Sequence, residues 1–479
     1  MKSLIGKNWV DSKDGKVINV YNPATNELID TVPSLTKEQV DEAVAEAKNA
    51  QKAWEEVPLH EKGKILMKFA SLVERDKEDL ARTLSNETGK PIKEARAEIA
   101  NIQIGVPAYV EKAKHEYGNV VYRGSEAGQE KTIQYTIQQP LGVMVAIIPF
   151  NFPSDIFINK IPPALIMGNA CILKPASVNP LTLTKYVELL KEAGVPDGVI
   201  EVVHGSGSVV GKALTSNPDV SIVSLTGSTE AGIDAAKNVV EHCGHSSLEL
   251  GGNDAFIICA DGDLDLAVNE TVWGRLYNTG QVCCASKRFL VENSIKDEYI
   301  NKMVEKIKSL KVGMPSEEDT DIGCLVSEDA AIEVEKQVNA TVEAGAKIVI
   351  GGKRDGAFYE PTILDNVTKD MDVAKDMEIF GPVISVIGFD TIDEAIEIAN
   401  QSKFGLSGGI ITKDISKALR ASEKMECGGF VVNGASFFRS FEQPFGGWKY
   451  SGIGNEGIMS TLKEMSRTKT VILKNVIKE

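Results

Sequence analysis

The stretch ACILKPASVNPLTLTKYVELLKEAGVPDGVIEVVHG, residues 170–205, decides the fold of this chain. It opens with a short apolar run (170–175), continues with a segment of helical composition (182–194) and ends with a second apolar run (199–205). A strand, a helix and a strand of these lengths predict a βαβ crossover, which joins two parallel strands of one sheet. Ligands of such sheets bind beyond the carboxyl ends of the strands, near helix N-termini. The stretch therefore predicts both a parallel sheet and the edge that holds a site.

Runs of the same kind continue the pattern on both sides of this stretch. The nearby strand candidates are GVMVAIIPF, VSIVSLTG, SSLELGG and AFIICA, with the helix-like segments SVVGKALTSNP and STEAGIDAAKNVV between them. A second series follows from about residue 289, with the strand candidates FLVEN, AKIVIGG, VISVIGF, GGIIT and GGFVVN. We interpret the second series as another α/β domain that begins near Leu250.

Two further regions complete the organisation of the chain. Near the N-terminus, Val40, Val44, Ala47 and Trp54 recur at helical spacing and predict a helix with one buried stripe. The polar segments 118–139 and EMSRTKTVILK have the composition of strands, and neither has a local partner. Unpaired strands of this kind favour an arm that joins another subunit.

Size and charge narrow the classes of function. A chain of 479 residues is too long for one ordinary core, so we expect two or three domains. The formal net charge of −16 argues against nucleic acid or an anionic membrane as a partner, because both would be repelled. No apolar run approaches the roughly 20 residues of a membrane span, and no secretory signal is visible. With an odd number of cysteines, seven, these features favour a reducing, cytoplasmic location.

Adjacent cysteines stand out in NTGQVCCASKR, residues 278–288. A nucleophile, a metal ligand, a disulfide or inert packing would each explain them. A disulfide between neighbours would close a small, strained ring. A helix beginning after Cys284, with the cations Lys287 and Arg288, would favour a thiolate. Elsewhere, Cys171 and Cys259 lie in apolar runs and are expected to be buried.

A metal site was considered at His242, Cys243 and His245, the other cluster of potential ligands. Zinc requires four ligands at workable spacing, and no fourth ligand suggests itself. We therefore expect no metal.

Several strand ends carry residues that suit a cofactor or a base. TGSTEAG and HGSGSVVG each place glycines after a strand and before a helix, where free N–H groups suit a phosphate, although many such glycines only form turns. Lys174 ends one strand and could meet a phosphate or ribose hydroxyl, or be a solvated surface lysine. Glu249 ends another strand and is either a desolvated base with a raised pKa or an exposed acid.

Taken together, the motifs resemble those of the aldehyde dehydrogenase superfamily. PFNFP, KPAS, TGSTEAG, LELGG, GQVCCA, EIFGPV and PFGGWKYSGIG occur in the order and spacing of that family, across nearly the whole chain. The resemblance implies an α/β fold with a Rossmann-like, parallel-sheet cofactor domain, a second α/β catalytic domain and a small β oligomerisation arm. It places the cofactor domain at residues 1–117 and 140–249, the catalytic domain at 250–443 and the arm at 118–139 and 462–479. It also implies a homodimer or homotetramer.

The resemblance assigns a role to each motif. The Cys283 thiolate would attack an aldehyde to form a thiohemiacetal, whose oxyanion the Asn151 amide and the Cys283 N–H would hold. Loss of hydride would leave a thioester, which water activated by Glu249 would hydrolyse; relatives that transfer the acyl group to coenzyme A generally lack this glutamate. Cys284 would be a neighbour, with a possible role as a redox partner. The cofactor-binding residues would be Phe150, Lys174, Ser177, Gly207, Gly227, Ser228, Leu250, Glu378 and Phe380.

The cofactor preference depends on Ser177. Strict NAD users of the family often carry glutamate at this position, where it bonds the adenosine ribose, so its absence predicts that NADP is accepted and leaves open whether NADP or NAD is preferred.

Departures from the family pattern bear on the substrate. Arg439 stands where members acting on plain aldehydes have aromatic residues, and it would suit a carboxylate, a phosphate or a hydroxyl. Asn159 stands where succinate-semialdehyde members usually have arginine. With Tyr277 as a third substrate-binding residue, we expect a short aldehyde with a polar or anionic tail, such as succinate semialdehyde or lactaldehyde. A catalytically silent, cofactor-binding relative and a cofactor-independent thiol esterase are the alternative functions.

Overall fold

The computed structural model describes residues 1–477 and contains the two series of strands that the sequence predicts. The strands are β1 (Ser3–Ile5), β2 (Asn8–Val10), β3 (Val17–Tyr21), β4 (Leu28–Pro33), β5 (Val120–Val121), β6 (Ile133–Pro140), β7 (Val143–Ile148), β8 (Ala170–Pro175), β9 (Ile200–Val202), β10 (Val220–Thr226), β11 (His245–Glu249), β12 (Asp254–Ile258), β13 (Ser286–Glu292), β14 (Lys347–Ile350), β15 (Arg354–Asp355), β16 (Phe358–Tyr359), β17 (Thr362–Val367), β18 (Val383–Phe389), β19 (Phe404–Gly405), β20 (Ser407–Ile411), β21 (Gly429–Val432), β22 (Trp448–Lys449), β23 (Gly452–Ile453) and β24 (Ser466–Leu473).

Helices connect and cover these strands. They are α1 (Lys37–Glu56), α2 (Leu59–Arg75), α3 (Lys77–Thr88), α4 (Ile92–Ala100), α5 (Ile102–Ala113), α6 (Pro153–Ile166), α7 (Leu181–Ala193), α8 (Lys212–Thr215), α9 (Thr229–Val240), α10 (Leu264–Leu276), α11 (Lys296–Lys308), α12 (Glu328–Glu343), α13 (Ile392–Asn400), α14 (Ile415–Lys424) and α15 (Ile458–Glu464). Short 3₁₀ turns (Tyr277–Gly280 and Asp372–Ala374) and one π turn (Gly207–Gly211) add to them.

Two mixed sheets, each parallel at its centre, form the framework within residues 1–477. The first has eight strands in the order β2-β1-β9-β8-β7-β10-β11-β23, and β7 to β11 are parallel. The second has seven strands in the order β14-β17-β18-β13-β12-β20-β21, and only the edge pair β14–β17 is antiparallel. Apolar side chains cover both faces of each sheet. This arrangement confirms the predicted α/β fold class.

Helix α1 shows why the N-terminal pattern predicted a helix. The Thr36 hydroxyl accepts a hydrogen bond from the Gln39 N–H, and the Gln39 side chain accepts one from the Thr36 N–H, so both ends of the capping box are formed. Val40, Val44 and Trp54, from the predicted stripe, are at most 1% exposed. The buried face of α1 packs on β8, which fixes the helix on the first sheet.

The two polar segments without a local partner pair with each other. Strand β6 lies antiparallel to β24 from Pro140 opposite Ser466 to Ile133 opposite Leu473, and β5 extends the same small sheet. Several apolar side chains of this sheet and the chain beside it are exposed, including Val120, Tyr122 and Ile472. Residues 478 and 479 of the predicted arm lie outside the described residues. The arm's role in oligomerisation, and the domain boundaries, stay predictions.

One connection returns the chain to the first sheet after the second is complete. Strand β23 lies antiparallel to β11, with Gly452 opposite Glu249. Helix α15 then packs on α5 and α6 before the chain enters β24. Residues beyond 443 thus reach the edge of the sheet that carries Glu249. No helix described within residues 1–477 has both the length and the apolar character that crossing a bilayer requires.

Candidate active site

The carboxyl ends of the parallel strands in the first sheet bring together the predicted groups. Strand β11 ends at Glu249, β8 carries Lys174 next to its last residue, and β7 ends two residues before Phe150. The Gly227 N–H donates to the Glu249 carbonyl at 3.0 Å, which holds the end of β10 beside the end of β11. The carboxyl ends of parallel strands lie at the same edge of the sheet, so the side chains at these ends lie close together.

An irregular loop delivers the two adjacent cysteines. Asn278, Thr279 and Gly280 all have left-handed backbones, with φ of 50°, 54° and 76°. The Asn278 N–H donates to the Glu94 carboxylate at 2.8 Å, and its side-chain amide donates to the Asn151 carbonyl at 2.9 Å. At Gly280 a Cβ atom would lie 2.3 Å from the Gly381 carbonyl oxygen, so only glycine fits. These contacts hold the strained loop against both the first sheet and the 378–383 segment.

The expected helix after Cys284 is wrong. The chain turns at the cysteines and enters the buried strand β13, which pairs with β12 and β18. Arg288 is also not a cation of the site, because its guanidinium donates to the main-chain carbonyls of Asn253, Ala374, Ile398 and Ala399. The run SKRFLVE alternates its faces as a strand, so Lys287 and Arg288 point in opposite directions. Only Lys287 lies next to Cys283.

The environment of Cys283 favours its thiolate. Its side chain is partly exposed, whereas Cys284 is buried, and neither forms a disulfide. A hydrogen bond from the Cys284 thiol lowers the pKa of Cys283; burial opposes the shift, and the charges of Lys287 and Arg439 reinforce it. The same hydrogen bond raises the pKa of Cys284 well above its usual value, with burial acting in the same direction. Of the two thiols, Cys283 is therefore the one that ionises more readily, as the predicted role of nucleophile requires.

The pKa of Glu249 is shifted in the opposite direction to that of Cys283. It is 4% exposed, and its Oε2 atom has no hydrogen-bond partner in the described structure. Burial raises the pKa of Glu249 well above its usual value, and the nearby Glu456 carboxylate adds to the shift. A buried carboxylate without partners is a strong base, because protonation relieves its desolvation. The alternative of an exposed acid is wrong, because the Glu249 carboxyl is buried, and its role as a base stays a prediction.

A buried ionic network beside Glu249 was missed by the sequence analysis. Glu456 accepts from Lys160 at 2.9 Å and from Arg439 at 3.0 Å. Burial alone would raise the pKa of Glu456, but the charges and hydrogen bonds of Lys160 and Arg439 outweigh burial and hold it below its usual value. One signal was available: Lys160 is a lone cation within the apolar helix α6. The partner, nearly 300 residues away, could not be inferred from spacing.

Arg439 therefore lies in the site rather than on an exposed loop. Its guanidinium carbon lies 4.1 Å from the centre of the Phe445 ring, and its side chain is 26% exposed. Burial alone would lower the pKa of Arg439, but attraction to Glu456 and Glu249 raises it. The guanidinium stays charged while part of it remains accessible.

Three aromatic side chains, Phe152, Tyr277 and Phe437, form a wall of the site. Phe152 stacks on Tyr277 with ring centres 6.1 Å apart, and Phe437 packs against both rings. Phe152 and Phe437 also contact the apolar cluster around Cys283 and Cys284. Tyr277, predicted to bind substrate, thus lies in this wall. Asn159 is 2% exposed, and its amide is bonded to the Tyr109 hydroxyl and the Asp155 carbonyl.

Asn151 is the residue before Phe152, and hydrogen bonds to its main-chain carbonyl hold it in place. Its carbonyl accepts from the Lys90 ammonium at 2.9 Å as well as from Asn278. Lys90 is itself buried, pairs with Glu98 and lies 4.0 Å from the centre of the Phe152 ring. No hydrogen bond engages the Asn151 side-chain amide among the described residues, so its N–H groups remain available to a ligand.

A cleft of about 560 Å³ lies along the same edge of the first sheet and is lined by Lys174, Gly207 and one side of α9 from Ala231 to Asn238. Lys174 is 4% exposed, and within residues 1–477 its ammonium donates only to the Pro175 carbonyl, at 3.2 Å, which leaves two N–H donors for a ligand. Burial lowers the pKa of Lys174 to about 8. A Cβ atom on Gly207 would meet nothing within 4 Å, so the backbone there faces open space. An elongated ligand with hydroxyl or phosphate groups fits such a cleft.

The remaining predicted cofactor residues lie around the cleft and its continuation toward Cys283. Ser228 caps α9 by accepting from the Ala231 N–H, Ser177 donates to the Gly205 carbonyl at 3.2 Å, and the Leu250 N–H donates to the Ser451 carbonyl. Phe150 and Phe380 meet edge to face with ring centres 5.9 Å apart. Glu378 accepts from the Gly252 N–H at 3.2 Å. The binding of a dinucleotide by these groups stays a prediction.

A metal fits this arrangement less well than a dinucleotide does. Within residues 1–477 no cluster of three or more potential metal ligands occurs, and Cys243 is exposed while His242 bonds the Val220 carbonyl.

The fold is that of a two-sheet α/β protein, with Cys283 in the loop that leads into the second sheet and a cleft at the strand ends of the first. The profile of the aldehyde dehydrogenase family matches residues 9–471. The chain belongs to this family and is an aldehyde dehydrogenase, which confirms the resemblance found in the sequence. The family uses NAD or NADP as its cofactor.

Curated relatives and solved structures extend along the whole chain. A 3-sulfolactaldehyde dehydrogenase of Priestia aryabhattai is 39% identical over 457 residues, which cover 95% of this chain and 94% of the relative. A lactaldehyde dehydrogenase of Methanococcus aeolicus is 37% identical over 476 residues, covering 98% and 99%. A crystal structure of an E. coli NADP-dependent enzyme has a TM-score of 0.95 at 35% identity, covering 99% and 98%. Staphylococcus aureus betaine aldehyde dehydrogenase in complex with NAD⁺ has a TM-score of 0.95 at 33% identity, covering 100% and 95%.

Proposed function

We propose that this enzyme oxidises a short aldehyde with a polar or anionic tail to its carboxylic acid. The observation that carries the proposal is the proximity of three groups: a thiol with a lowered pKa, a buried carboxylate with one oxygen that has no hydrogen-bond partner among the described residues, and a charged arginine. The names of the relatives support it, since lactaldehyde and 3-sulfolactaldehyde are both short and polar, and the second carries a sulfonate.

Cys283 begins the reaction in this proposal. Its thiolate attacks the carbonyl carbon and forms a tetrahedral thiohemiacetal. The side-chain amide of Asn151 and the main-chain N–H of Cys283 donate to the oxygen that becomes negative. Lys90 and Asn278 hold the Asn151 carbonyl, which fixes the amide relative to the sulfur without engaging it. The aromatic wall of Phe152, Tyr277 and Phe437 keeps water away from this step.

The cofactor residues orient the acceptor of the hydride. The oxidised nicotinamide, when bound, supplies an electrophilic carbon that removes the hydride from the substrate. Lys174 would hold the adenosine side of the cofactor through its remaining N–H donors, and the Glu378 carboxylate would accept from a ribose hydroxyl. Phe150 and Phe380 would contact the nicotinamide side.

Glu249 completes the reaction by hydrolysing the thioester. Its ionised form removes a proton from water, which attacks the acyl carbon and releases the carboxylic acid and the Cys283 thiolate. The raised pKa of Glu249 strengthens it as a base at the pH where it is ionised. The proton leaves as the carboxyl returns to its ionised state, and the enzyme releases acyl groups to water rather than to coenzyme A.

Arg439 selects the tail of the substrate in this proposal. One of its terminal nitrogens bonds Glu456, and its flat face lies on Phe445, which leaves other N–H groups for a carboxylate, sulfonate or hydroxyl. Tyr277 contacts the carbon chain from the aromatic wall. Asn159 is buried and bonded to Tyr109 and Asp155, so in this proposal it supports the site without contacting the substrate.

An aldehyde panel with both nicotinamides tests the proposal. We expect lactaldehyde, succinate semialdehyde and a sulfonated aldehyde to be oxidised with higher kcat/KM than propanal. Arg439→Gln should remove this preference, by about tenfold or more per charged contact, while Arg439→Lys retains part of it. Propanal as the preferred substrate, with no effect of Arg439→Gln, would refute the substrate assignment. An absence of nicotinamide reduction with every aldehyde would favour a silent relative, and ester hydrolysis alone would favour a thiol esterase.

We propose that NADP is accepted as well as NAD. Ser177 supports this, since it presents a hydroxyl rather than a carboxylate beside Gly205. A 2′-phosphate therefore meets no negative charge from this position. Steady-state kinetics in which NAD is favoured by more than about a hundredfold, some 2.7 kcal/mol, would contradict the proposal.

Oligomeric state and location complete the proposal. The exposed apolar side chains of the β5–β6–β24 sheet support a homodimer or homotetramer joined through this arm. Light scattering during gel filtration should give two or four times the mass of 51.7 kDa. The seven unpaired cysteines support a cytoplasmic location. Fractionation that finds the protein outside the cytoplasm would contradict it.

A further inference from the structure

Lys287 is a buried lysine that joins two loops of the active site. It is the second residue of β13 and is 2% exposed. Its ammonium donates to the main-chain carbonyl of Cys283 and lies 3.2 Å from the Glu378 carboxylate. A buried ammonium is costly unless it is paired, and these two contacts supply the pairing.

Glu378 has a second contact, with the segment that follows Glu249. The same carboxylate oxygen accepts from the Gly252 N–H, three residues after Glu249. A Cβ atom on Gly251 would lie 2.4 Å from the second oxygen of Glu378, so glycine there makes room for the carboxylate. Lys287 also lies 5.9 Å from the centre of the Phe380 ring. One ammonium therefore touches both the main chain of the nucleophile and the segment that faces the cofactor.

Lys287 and Arg439 are the positive charges that contribute most to lowering the pKa of Cys283 among the described residues. Other groups that interact electrostatically with this thiol include Cys284, Glu378, Glu249 and Asp254. Arg439 is already paired with Glu456 at 3.0 Å, and the proposed role of Arg439 is to bind substrate. Lys287 has no proposed contact with the substrate and is held by Cys283 and Glu378. Its charge therefore acts on the thiol of the free enzyme, together with that of Arg439.

We propose that Lys287 is a positioning residue for the reaction: it fastens the Glu378 carboxylate to the main chain of Cys283 and keeps a positive charge beside the sulfur. The inference deepens the proposed function, on which it rests. It assigns to one lysine the link between the cofactor-facing segment and the nucleophile, so that a change at Lys287 alters both thiol reactivity and cofactor binding.

The pH dependence of Cys283 alkylation by iodoacetamide tests the proposal in the free enzyme. Mass spectrometry of the Cys283 peptide separates this thiol from the other six cysteines. Loss of the charge in Lys287→Met should raise the apparent pKa of alkylation by about one unit, a tenfold slower reaction near neutral pH. Lys287→Arg, which keeps the charge, should stay close to the wild type. Lys347→Met is the control, because it removes a lysine charge from the exposed edge strand β14.

A second variant works in the opposite direction and does not depend on Lys287→Met folding. Glu378→Gln removes a negative charge that opposes the thiolate, so it should lower the apparent pKa of alkylation. In steady state, Lys287→Met should raise the KM for the cofactor about tenfold and leave the KM for the aldehyde unchanged. A role in folding alone would move neither the alkylation pKa nor the ratio of the two KM values.

The possible results are clearly separated. The proposal is overturned if Lys287→Met and Lys287→Arg give the same alkylation profile, or if Glu378→Gln leaves the profile unchanged or shifts it upward. Alkylation requires no aldehyde turnover. If the variants show the expected shifts in alkylation pKa but the wild-type enzyme oxidises no aldehyde, the proposed function is refuted and the role of Lys287 stands.

Discussion

Glu249 lies at the end of a regular strand of the first sheet, whereas Cys283 lies in an irregular loop that leads into the second. Both are ionisable groups of one site, and their pKa values are shifted in opposite directions. The strand end buries a carboxylate next to another carboxylate and leaves one oxygen without a partner. The sulfur has the Cys284 thiol beside it and two cations nearby, Lys287 from strand β13 and Arg439 from a distant segment. The difference shows that burial at a strand end is enough to raise the pKa of a carboxyl, whereas lowering the pKa of a thiol takes contacts from several segments.

Removal of the proposed nucleophile, Cys283, should reduce activity more than any other change at these two residues. Cys283→Ala eliminates the atom that forms the thioester, and we expect nicotinamide reduction to fall by at least on the order of 10³-fold. The absorbance of the reduced cofactor measures the loss. Cys284→Ala is the matched control and should retain most of the activity, although the pKa of Cys283 should rise. Comparable losses in the two variants would show that Cys283 is not distinct from its neighbour.

Removal of the base should give the next largest effect and leave the first half-reaction intact. Glu249→Gln keeps the shape of the side chain but cannot accept a proton, so steady-state turnover should fall on the order of 10²- to 10⁴-fold. Stopped-flow absorbance should still show one equivalent of reduced cofactor in the first turnover. Loss of that burst would place Glu249 in the acylation step and contradict the division of roles.

Asn151 tests the oxyanion contact that lies between the two regions. Asn151→Ala removes an amide donor, and we expect kcat to fall on the order of 10²- to 10³-fold. The burst should slow as well, because the tetrahedral species of acylation loses the same donor. Asn151→Asp should be worse than alanine, since a carboxylate would face the developing oxyanion. A slow steady state with an unchanged burst would count against this role.

The pH dependence should show the smallest effect, at most tenfold per pH unit. Glu249 must be ionised to act and its pKa is raised, so steady-state kcat should decline as pH falls through that raised value. Cys283 must also be ionised, but its pKa is lowered, so the burst rate should persist to lower pH. Rapid-mixing and steady-state profiles measured on the same sample compare the two limbs. Coincident limbs would show that one group controls both steps.

Much of the framework could be predicted from the sequence because it depends on local patterns. The strands ending at Pro175, Thr226 and Glu249 follow from apolar runs bounded by glycines, and the stripe of α1 follows from its spacing. The candidate nucleophile, base and cofactor residues came from ordered motifs, which report on strand ends and tight turns. These are the places where one short segment determines both its conformation and its position in the sheet.

The remainder depends on contacts between distant segments. The helix expected after Cys284 is instead the buried strand β13, because pairing with β12 and β18 overrides the local expectation. Glu456 was missed because its partners, Lys160 and Arg439, lie in a distant helix and in a loop. Lys287 points toward Cys283 and Arg288 points away from it, because successive side chains of a strand alternate between its two faces. This could be inferred only once the segment was known to be a strand. Long-range electrostatics of this kind leave no periodic signal in a single sequence.

Intact-mass and peptide mass spectrometry of Glu249→Gln tests the central claim most directly. After a brief incubation with an oxidisable aldehyde and the oxidised cofactor, the account predicts that the variant gains the mass of one acyl group, on the peptide that contains Cys283. The adduct should disappear with hydroxylamine, which cleaves thioesters. An unmodified Cys283 alongside reduced cofactor, or an acyl group on another residue, would contradict it.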